Sequence, residues 1–245
     1  MTLRNKVALV TGGSRGIGAA IAKDLAQQGA DVVITYSTSY EKAKTVASEI
    51  NQIGQRGLAI QADSSNVEHV IDAVNQTAAE FGRLDILVNN AGIFPFGTPE
   101  SFTLEDIDRT LAIHVRGVYA ASQAAIQHMG AEGRIISIGS CFAHRVPYPG
   151  LSLYTMSKSA LIGFTKGLAR DVGSRGITVN VIDPGSTDTD MNPKDGPDAE
   201  EEKDLLAVGH YGSVEDIAGM VTFIAGEEGR FITGASIAVD GGFGA

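Results

Sequence analysis

The sequence has 245 residues, of which 43% are hydrophobic and 20% are charged, the composition of an ordinary globular protein. This length suffices for one large α/β domain and is short for two. The formal net charge of −10, with no run of Lys and Arg, argues against a DNA- or RNA-binding protein, because such proteins present a basic face. The single cysteine, Cys141, excludes an internal disulfide and a multi-cysteine metal site.

The distribution of apolar residues disfavours secreted and membrane proteins. Residues 1–6 lead directly into a strand-like segment, without the apolar run of a signal peptide. No stretch approaches the ~18 apolar residues that a membrane-spanning helix needs. We therefore expect a cytoplasmic protein that binds neither membranes nor nucleic acid polymers.

Short β-branched runs alternate along the chain with longer segments of helical periodicity. The predicted strands are 7–11, 32–36, 57–61, 86–89, 134–138, 178–182 and 236–239. The predicted helices are 17–28, 40–53, 67–81, 103–129, 153–172 and 214–225. This alternation predicts an α/β fold: a doubly wound, parallel, seven-stranded sheet with helices on both faces, in a single domain over residues 1–245.

A glycine-rich turn follows the first predicted strand and opens the first predicted helix. Its spacing is G-x3-G-x-G, which differs from the G-x-G-x-x-G dinucleotide fingerprint, so the alternative is a turn that only packs. Glycine lets the backbone approach a ligand closely, and a helix start offers free N–H groups to a pyrophosphate. The strand-turn-helix context favours a Rossmann-type nucleotide site. Its candidate residues are Gly12, Ser14, Arg15, Gly16, Ile17 and Gly18.

The residues that end the second predicted strand indicate which dinucleotide binds. A carboxylate about 20 residues beyond the glycines would bind the ribose 2′-hydroxyl of NAD. The sequence instead has Tyr36, Ser37 and Thr38, so a 2′-phosphate would meet hydroxyls and no repelling charge. Arg15 would supply a positive charge, unless it is simply a solvent-exposed cation. We therefore predict NADP(H) as the cofactor.

Tyr154 and Lys158 are four residues apart in a predicted helix and therefore share one helix face. A neighbouring cation favours ionisation of a phenol and lowers its pKa from ~10 toward the range that a general acid–base needs. Ser140, at the end of the preceding strand, can hydrogen-bond a substrate carbonyl oxygen. A Tyr-x3-Lys pair alone is common. It indicates catalysis here because Ser140 and the glycine turn accompany it in the chain.

The segment from residue 186 to about 210 breaks the alternation, because it is polar and acidic. It is either a solvated surface insertion or a lid over the mouth of the sheet. Ligands of open α/β sheets bind at the carboxyl ends of strands, and this segment directly follows a strand. We therefore favour the lid.

Together these features resemble the classical short-chain dehydrogenase/reductase family, close to its 3-oxoacyl-carrier-protein reductase type, over essentially the whole chain. Beyond the glycine turn, Ser140, Tyr154 and Lys158, the resemblance is carried by Asn89-Asn90-Ala91-Gly92, Asp183-Pro184-Gly185, Thr233-Gly234 and Val239-Asp240-Gly241-Gly242.

The resemblance implies a role for each motif. Tyr154 would protonate the alkoxide as the nicotinamide delivers hydride, Lys158 would lower the tyrosine pKa and bind the nicotinamide ribose, and Ser140 would orient the carbonyl. Asp63, with Ser64, would contact the adenine. The remaining cofactor-binding candidates are Asn90, Ala91 and Gly92 along the cofactor, Pro184, Gly185 and Thr187 at its carboxamide, and Thr189. The resemblance also implies a homotetramer, with the 103–129 and 153–172 helices as candidate interfaces.

His114 departs from the family pattern, which has an asparagine at this position. In the family, the backbone carbonyl of that asparagine holds a water that links the lysine to solvent, and a histidine keeps this carbonyl. The imidazole is also a candidate member of the proton relay, because histidine titrates near neutrality. The alternative is a helix histidine that only packs.

Two other residues near Ser140 invite a catalytic interpretation that we do not favour. Cys141 is predicted to be a small buried hydrophobic residue and not a nucleophile. His144 has no evident Asp or Glu partner for a triad, so we expect it to line the pocket or face solvent. No metal site is predicted, because the five histidines lack ligand spacing.

Aromatic side chains dominate the predicted substrate pocket, which combines Ser140 and Tyr154 with Phe94, Phe96, Phe142 and Tyr148. Apolar walls with a few polar anchors are typical of small-molecule sites. We therefore predict an NADPH-dependent reductase of a ketone or a 3-oxoacyl group. The net charge and the acidic lid would repel an acidic carrier protein, unless Arg145 or Arg116 forms a basic patch.

One alternative function stays open on the sequence. His114 and the unusual lid favour a protein of the same fold that binds a nucleotide-type ligand with little turnover. The complete set of Ser140, Tyr154 and Lys158 argues against it. A purely structural oligomer would leave that set unexplained.

Overall fold

The computed structural model describes residues 2–245, in which seven parallel strands form one sheet of order β3-β2-β1-β4-β5-β6-β7. The strands are β1 (Val7–Val10), β2 (Asp31–Tyr36), β3 (Gly57–Gln61), β4 (Ile86–Asn89), β5 (Arg134–Ile138), β6 (Thr178–Pro184) and β7 (Ser236–Val239). The predicted fold class and all seven predicted strands are confirmed, with β6 continuing beyond its predicted end to Pro184.

Eight α-helices lie within residues 2–245. They are α1 (Gly16–Gln27), α2 (Tyr40–Ile53), α3 (Val67–Phe81), α4 (Leu104–Leu111), α5 (Gly117–His128), α6 (Ser152–Val172), α7 (Ala199–Asp204) and α8 (Val214–Ala225). None of the helices in this part of the chain is long and apolar enough to cross a membrane.

The core forms two layers, one on each face of the sheet. In β1, Ala8 and Val10 belong to the layer that includes residues of α1, α2 and α8, whereas Leu9 belongs to the layer that includes residues of α3, α5 and α6. All three residues are fully buried. Because both faces of the sheet are covered, the strands are mostly apolar on both faces, with a few buried polar residues such as Ser137 and Asn180.

The order of the strands reverses at β1, which pairs with β2 on one side and with β4 on the other. Ala8 lies opposite Val32 in β2 and opposite Ile86 in β4. Crossovers on the two sides of such a junction run in opposite directions, which leaves a crevice at the carboxyl ends of the strands.

The helix predicted over residues 103–129 is confirmed as one continuous helical segment from Leu104 to His128, but it contains a π-helical turn that was not predicted. Helix α4 begins at a capping box made by Thr103 and Asp106, and the π-helix Ala112–Arg116 separates it from α5. A π-turn leaves the apolar pattern almost unchanged, so the sequence does not reveal it. Such turns occur frequently at functional sites, and this one contains His114.

Candidate active site

The crevice beside β1 is a cleft of about 590 Å³. It brings together the glycine turn, the ends of β2, β4, β5 and β6, and part of the segment that follows β6. All twenty residues predicted to bind the cofactor line this cleft, and so do Ser140, Phe94 and Phe142. Phe96, Tyr148 and His114 lie outside its lining.

The glycine turn has the conformation that a phosphate site requires. Gly12 and Gly16 have φ of +65° and +54°, which side chains other than glycine rarely adopt. A Cβ on Gly12 would also lie 2.9 Å from Cα of Ala91. Helix α1 has no side-chain cap and no acidic residue in its first turn, so its N–H groups face the cleft uncompensated. These features fit the pyrophosphate of a dinucleotide.

Asn90 fixes the glycine turn to the end of β4. Its Nδ2 donates to the carbonyls of Thr11 and Gly12, at 2.9 and 3.0 Å. A Cβ on Gly18 would lie 2.4 Å from this nitrogen, so the close packing of α1 requires glycine there. The Thr11 hydroxyl accepts from the backbone N–H groups of Asn90 and Ala91, at 3.0 and 3.1 Å.

A cationic cluster that the sequence only partly predicted lies beside the end of β2. Arg15 Nη1 is 3.5 Å from Oδ2 of Asp190, and Lys42 Nζ is 3.1 Å from the same oxygen. Lys42 was missed because it lies within α2. Its position shortly after Tyr36, Ser37 and Thr38 is the signal that could have revealed it. Two cations, and no carboxylate at the carboxyl end of β2, fit a 2′-phosphate at this end of the cleft.

Asp63 and Ser64 line the cleft beyond the end of β3. The Asp63 carboxylate accepts from the Ser65 backbone N–H at 2.9 Å and from its hydroxyl at 2.8 Å. The backbone hydrogen bond is the main cause that lowers the pKa of Asp63. The carboxylate is therefore ionised and held in place near neutral pH.

Lys158 and Tyr154 occupy the floor of the cleft, near the start of α6. Lys158 is buried, and its Nζ donates to the Ile138 carbonyl at 2.8 Å. Burial lowers the pKa of Lys158 to about 8, against the charge of Asp183, which raises it. Ser140 lies two residues beyond the end of β5, and its Oγ accepts from the Phe142 N–H at 3.2 Å.

The expected lowering of the Tyr154 pKa is not found. Burial raises the pKa of Tyr154 to about 12, and the hydrogen bond with Ser140 opposes this only in part. The Lys158 ammonium is bound to the Ile138 carbonyl and lies 5.8 Å from the centre of the tyrosine ring. Tyr154 is therefore protonated near neutral pH, in the state that can donate a proton.

His114 is buried and both of its ring nitrogens are engaged. Nε2 accepts from the Ile93 N–H at 3.0 Å, so Nδ1 carries the proton and donates to Oγ of Ser157 at 2.8 Å. The Ser157 hydroxyl donates in turn to the Tyr154 carbonyl at 2.7 Å. Burial, followed by the charge of Lys158, lowers the pKa of His114 to about 3. The expectation that this imidazole titrates near neutrality is therefore wrong.

His144 has the acidic partner that the sequence did not reveal. Its Nε2 lies 3.0 Å from Oδ2 of Asp183, which also accepts from the Ser236 hydroxyl. Oδ1 of Asp183 accepts from the Ser140 backbone N–H at 3.1 Å. A Cβ on Gly139 would lie 2.0 Å from that oxygen, so the approach requires glycine. Asp183 is fully buried and does not line the cleft, so it supports Ser140 from behind.

Aromatic rings surround Tyr154 on the side opposite the glycine turn. The Phe94 ring centre lies 4.8 Å from that of Tyr154, and the Phe142 ring centre lies 6.2 Å from it. Phe96 and Tyr148 pack behind these two rings. Phe243, which the sequence did not suggest, packs edge-on against Phe142 at 5.5 Å.

Cys141, Arg145 and Arg116, the other residues that the sequence singled out, have structural contacts. Cys141 is buried as predicted, and burial raises the pKa of its thiol to about 12. Arg145 donates to the Phe243 carbonyl and lies over its ring, while Arg116 donates to the Ser65 carbonyl at 3.3 Å. Both arginines are exposed and keep their charge, but they bind separate parts of the chain, the residues after β3 and the C-terminal segment.

The acidic segment after β6 contributes to the wall of the cleft. Residues between Ser186 and Glu202 line it, and α7 lies within the segment. A short bridge between Thr187 and Gly212 ties the segment to the residues before α8. This position agrees better with the predicted lid than with a surface insertion remote from the site.

A parallel sheet with a glycine turn at its switch point and Ser140, Tyr154 and Lys158 in the same cleft defines a dinucleotide-dependent oxidoreductase of the Rossmann type. The family model described as enoyl-(acyl carrier protein) reductase matches residues 12–244. A short-chain dehydrogenase/reductase of Pestalotiopsis microspora is 40% identical over 253 residues, covering 98% of this chain and 96% of the relative. The chain belongs to the short-chain dehydrogenase/reductase family of oxidoreductases.

Two further relatives show the range of the similarity. The crystal structure of a short-chain dehydrogenase from Burkholderia cenocepacia J2315 in complex with NADP is 57% identical, with a TM-score of 0.99 over 100% of both chains. The cyclic-di-GMP-binding biofilm dispersal mediator protein of Escherichia coli K12 is 45% identical over 240 residues, which is 98% of each chain.

The neutral state of His114 predicts how stability depends on pH. The pKa of His114 is lower in the folded protein than the ~6.5 of an unfolded chain. Its contribution is therefore fully present above pH ~6.5 and is lost as the pH falls, because the unfolded chain binds the extra proton. Between pH 6 and pH 5, the free energy of unfolding should fall by ~1 kcal/mol more in the wild type than in His114→Asn.

Urea unfolding followed by circular dichroism at several pH values measures this difference. His69→Asn, which removes an exposed histidine, is the matched control. Parallel pH dependences in the wild type and His114→Asn would contradict the neutral, buried imidazole.

Proposed function

We propose that the protein is an NADPH-dependent reductase that converts a ketone or 3-oxoacyl group into a secondary alcohol. The observation that carries the proposal is the position of Ser140, Tyr154 and Lys158 in the same cleft as the glycine turn. When bound, the nicotinamide of NADPH supplies the hydride that attacks the carbonyl carbon. The chain's own residues hold the cofactor, orient the carbonyl and supply the proton.

The residues along the cleft support NADPH as the cofactor. The uncapped start of α1 and the turn at Gly12 and Gly16 would hold the pyrophosphate, and Asp63 would face the adenine end. Arg15 and Lys42 would bind the 2′-phosphate, which would replace Asp190 as their anionic partner. The NADP complex of the Burkholderia cenocepacia relative supports the same choice.

The proton transfer follows from the states of the side chains. Tyr154 keeps its proton near neutral pH and would donate it to the carbonyl oxygen as the C–H bond forms, which leaves the phenol as phenolate. The Lys158 ammonium would stabilise that phenolate, since a nearby cation favours the charged form. Ser140 would donate to the same carbonyl oxygen, and the hydrogen bond from its N–H to Asp183 keeps it in position.

The direct test is the absorbance of the nicotinamide band, with NADPH and NADH in parallel, against ketones, 3-oxoesters and 3-oxoacyl thioesters. Oxidation of NADPH with one class of carbonyl preferred supports the reductase. Tight NADPH binding without oxidation across the whole panel would overturn it.

That negative outcome would favour a second candidate function, a protein that binds a nucleotide-type ligand with little turnover. The observation in its favour is the 45% identical relative that is named for cyclic-di-GMP binding. The ligand would enter the same cleft, where the α1 N-terminus and Arg15 bind phosphate equally well. Calorimetric titration with cyclic-di-GMP, with and without NADPH, distinguishes the two candidates.

The homotetramer stays a prediction. The faces of α5 and α6 that point away from the sheet support it, because Tyr119 is 57% exposed and packs on Phe164 with ring centres 5.5 Å apart. Met156 on α6 is also exposed. Sedimentation velocity should give a species of four chains, and a monomer at micromolar concentration would contradict the expectation.

Loss of the Tyr154 hydroxyl should abolish reduction. Tyr154→Phe removes the proton donor but keeps the ring that packs on Phe94, so kcat should fall at least ~10²-fold while NADPH affinity changes little. Tyr148→Phe is the matched control, because Tyr148 belongs to the same cluster of rings but does not line the cleft. Substantial turnover by Tyr154→Phe would show that another group is the acid.

Loss of the Arg15 charge should affect the two cofactors unequally. Arg15→Ala removes a cation from the proposed 2′-phosphate site, so the KM for NADPH should rise about tenfold more than the KM for NADH. Lys42→Ala should act in the same direction. Lys23→Ala, on the exposed side of α1 and paired with Glu49, is the control. Equal effects of Arg15→Ala on both cofactors would contradict the preference for NADPH.

A further inference from the structure

Three carboxylates from the segment after β6 line the cleft, Asp190, Asp198 and Glu202, and Asp190 is paired with Arg15 and Lys42. Glu202, on α7, is half-buried and lines the cleft. Its Oε2 accepts from Nδ2 of Asn192 at 2.8 Å and from the Tyr211 hydroxyl at 2.9 Å. Two donors therefore fix the position of the carboxylate, and its second oxygen, Oε1, makes no hydrogen bond to residues 2–245.

The Glu202 carboxylate lies near the aromatic end of the cleft, because Leu205 and Leu206, which directly follow α7, pack in one cluster with Phe142 and Phe243. Burial, followed by the charge of Glu202, raises the pKa of Tyr148 to about 12, with a smaller effect of Asp198. Tyr148 packs on Phe142 and Phe96, with ring centres 5.8 and 6.4 Å apart. The charge of Glu202 therefore acts on the cluster of rings that surrounds Tyr154.

Among residues 2–245, none of the cations that line the cleft forms an ion pair with Glu202. In this part of the chain, the lining contains Arg15, Arg109 and Lys158. Arg15 pairs with Asp190 beside the glycine turn, the charge of Arg109 helps to lower the pKa of Asp63, and Lys158 is bound to the Ile138 carbonyl.

The cations of the acidic segment are also paired. Lys203 binds Glu200 at 2.6 Å, and Lys194 binds Asp188 at 3.1 Å. In the part of the chain that the structure describes, the aromatic end of the cleft therefore combines several rings with a carboxylate that is not paired with a cation of the lining; Arg145, which lies over the Phe243 ring, is outside the lining. Aromatic faces attract organic cations, and a fixed carboxylate strengthens that attraction while it repels anions.

We propose that Glu202 determines substrate specificity by selecting ketones that carry an ammonium group, whose carbonyl would face Ser140 and Tyr154 while the cation lies between the rings and Glu202. This inference rests on the proposed reductase function and narrows its substrate class. Anionic ketones are disfavoured by the same charge. Thioesters of phosphate-bearing carriers belong to that disfavoured class.

The test uses three ketones with the same aromatic body, one neutral, one with a trimethylammonium group and one with a carboxylate. The fixed charge of the trimethylammonium group removes any effect of pH on the substrate. kcat/KM with NADPH is measured for the wild type, Glu202→Gln and Tyr211→Phe. Glutamine keeps a carbonyl oxygen that accepts from Asn192 and Tyr211, so the variant removes the charge and keeps the hydrogen bonds.

The wild type should prefer the ammonium ketone to the neutral ketone, and the neutral ketone to the carboxylate. Glu202→Gln should lower kcat/KM for the ammonium ketone about tenfold, which corresponds to ~1.4 kcal/mol, and should raise it for the carboxylate. Tyr211→Phe loses one hydrogen bond of the segment but keeps the charge, and so should keep the preference. An equal loss with all three ketones in Glu202→Gln would overturn the proposal, because it would show a structural role only.

Failure of the reductase function itself is separable from failure of this inference. The same three ketones are titrated by calorimetry into the protein mixed with NADPH. Tighter binding of the ammonium ketone, lost in Glu202→Gln, supports the cation site even where no turnover occurs. Equal affinity of the wild type for all three overturns it, whatever the activity.

Discussion

The Lys158 ammonium lies at the carboxyl edge of the sheet with only 5% of the residue exposed to solvent. A buried cation needs nearby groups that replace its water, and the Ile138 carbonyl and the charge of Asp183 fill that role. The charge of Lys158 in turn affects the protonation state of a neighbouring side chain. Burial, together with the charge of Lys158, keeps His114 neutral.

The groups that face the substrate are positioned by residues that never touch it. His114 joins the backbone before Phe94 to the backbone of Tyr154 through Ser157. Asp183 holds the Ser140 backbone, and its own position depends on donors from His144 and Ser236. Both networks are fully buried or partly so, where an unpaired polar group costs more than a hydrogen bond contributes. Substitutions in these networks therefore act on the geometry of the site and on stability together.

The sequence predicted the sheet and the cofactor half of the cleft because both depend on local patterns. Buried parallel strands are short apolar runs, and the glycine turn is one contiguous segment. The pairs that the sequence did not reveal are far apart in the chain: His144 and Asp183 are 39 residues apart, and Lys42 and Asp190 are 148 residues apart. The pKa values of Tyr154 and His114 were predicted wrongly for a related reason. Burial dominates both, and spacing along a helix carries no information on it.

The reversal of strand order at β1 also has a consequence for folding. The glycine turn belongs to the half built from β1 to β3, whereas Ser140, Tyr154 and Lys158 belong to the half built from β4 to β7. The halves meet where Val7 donates to the Asp85 carboxylate, 78 residues further along the chain, and where β1 pairs with β4. A nascent chain that has emerged only to β3 therefore carries half of a nucleotide site and none of the reactive groups. The cleft is created late, by a long-range contact of the kind that slows folding.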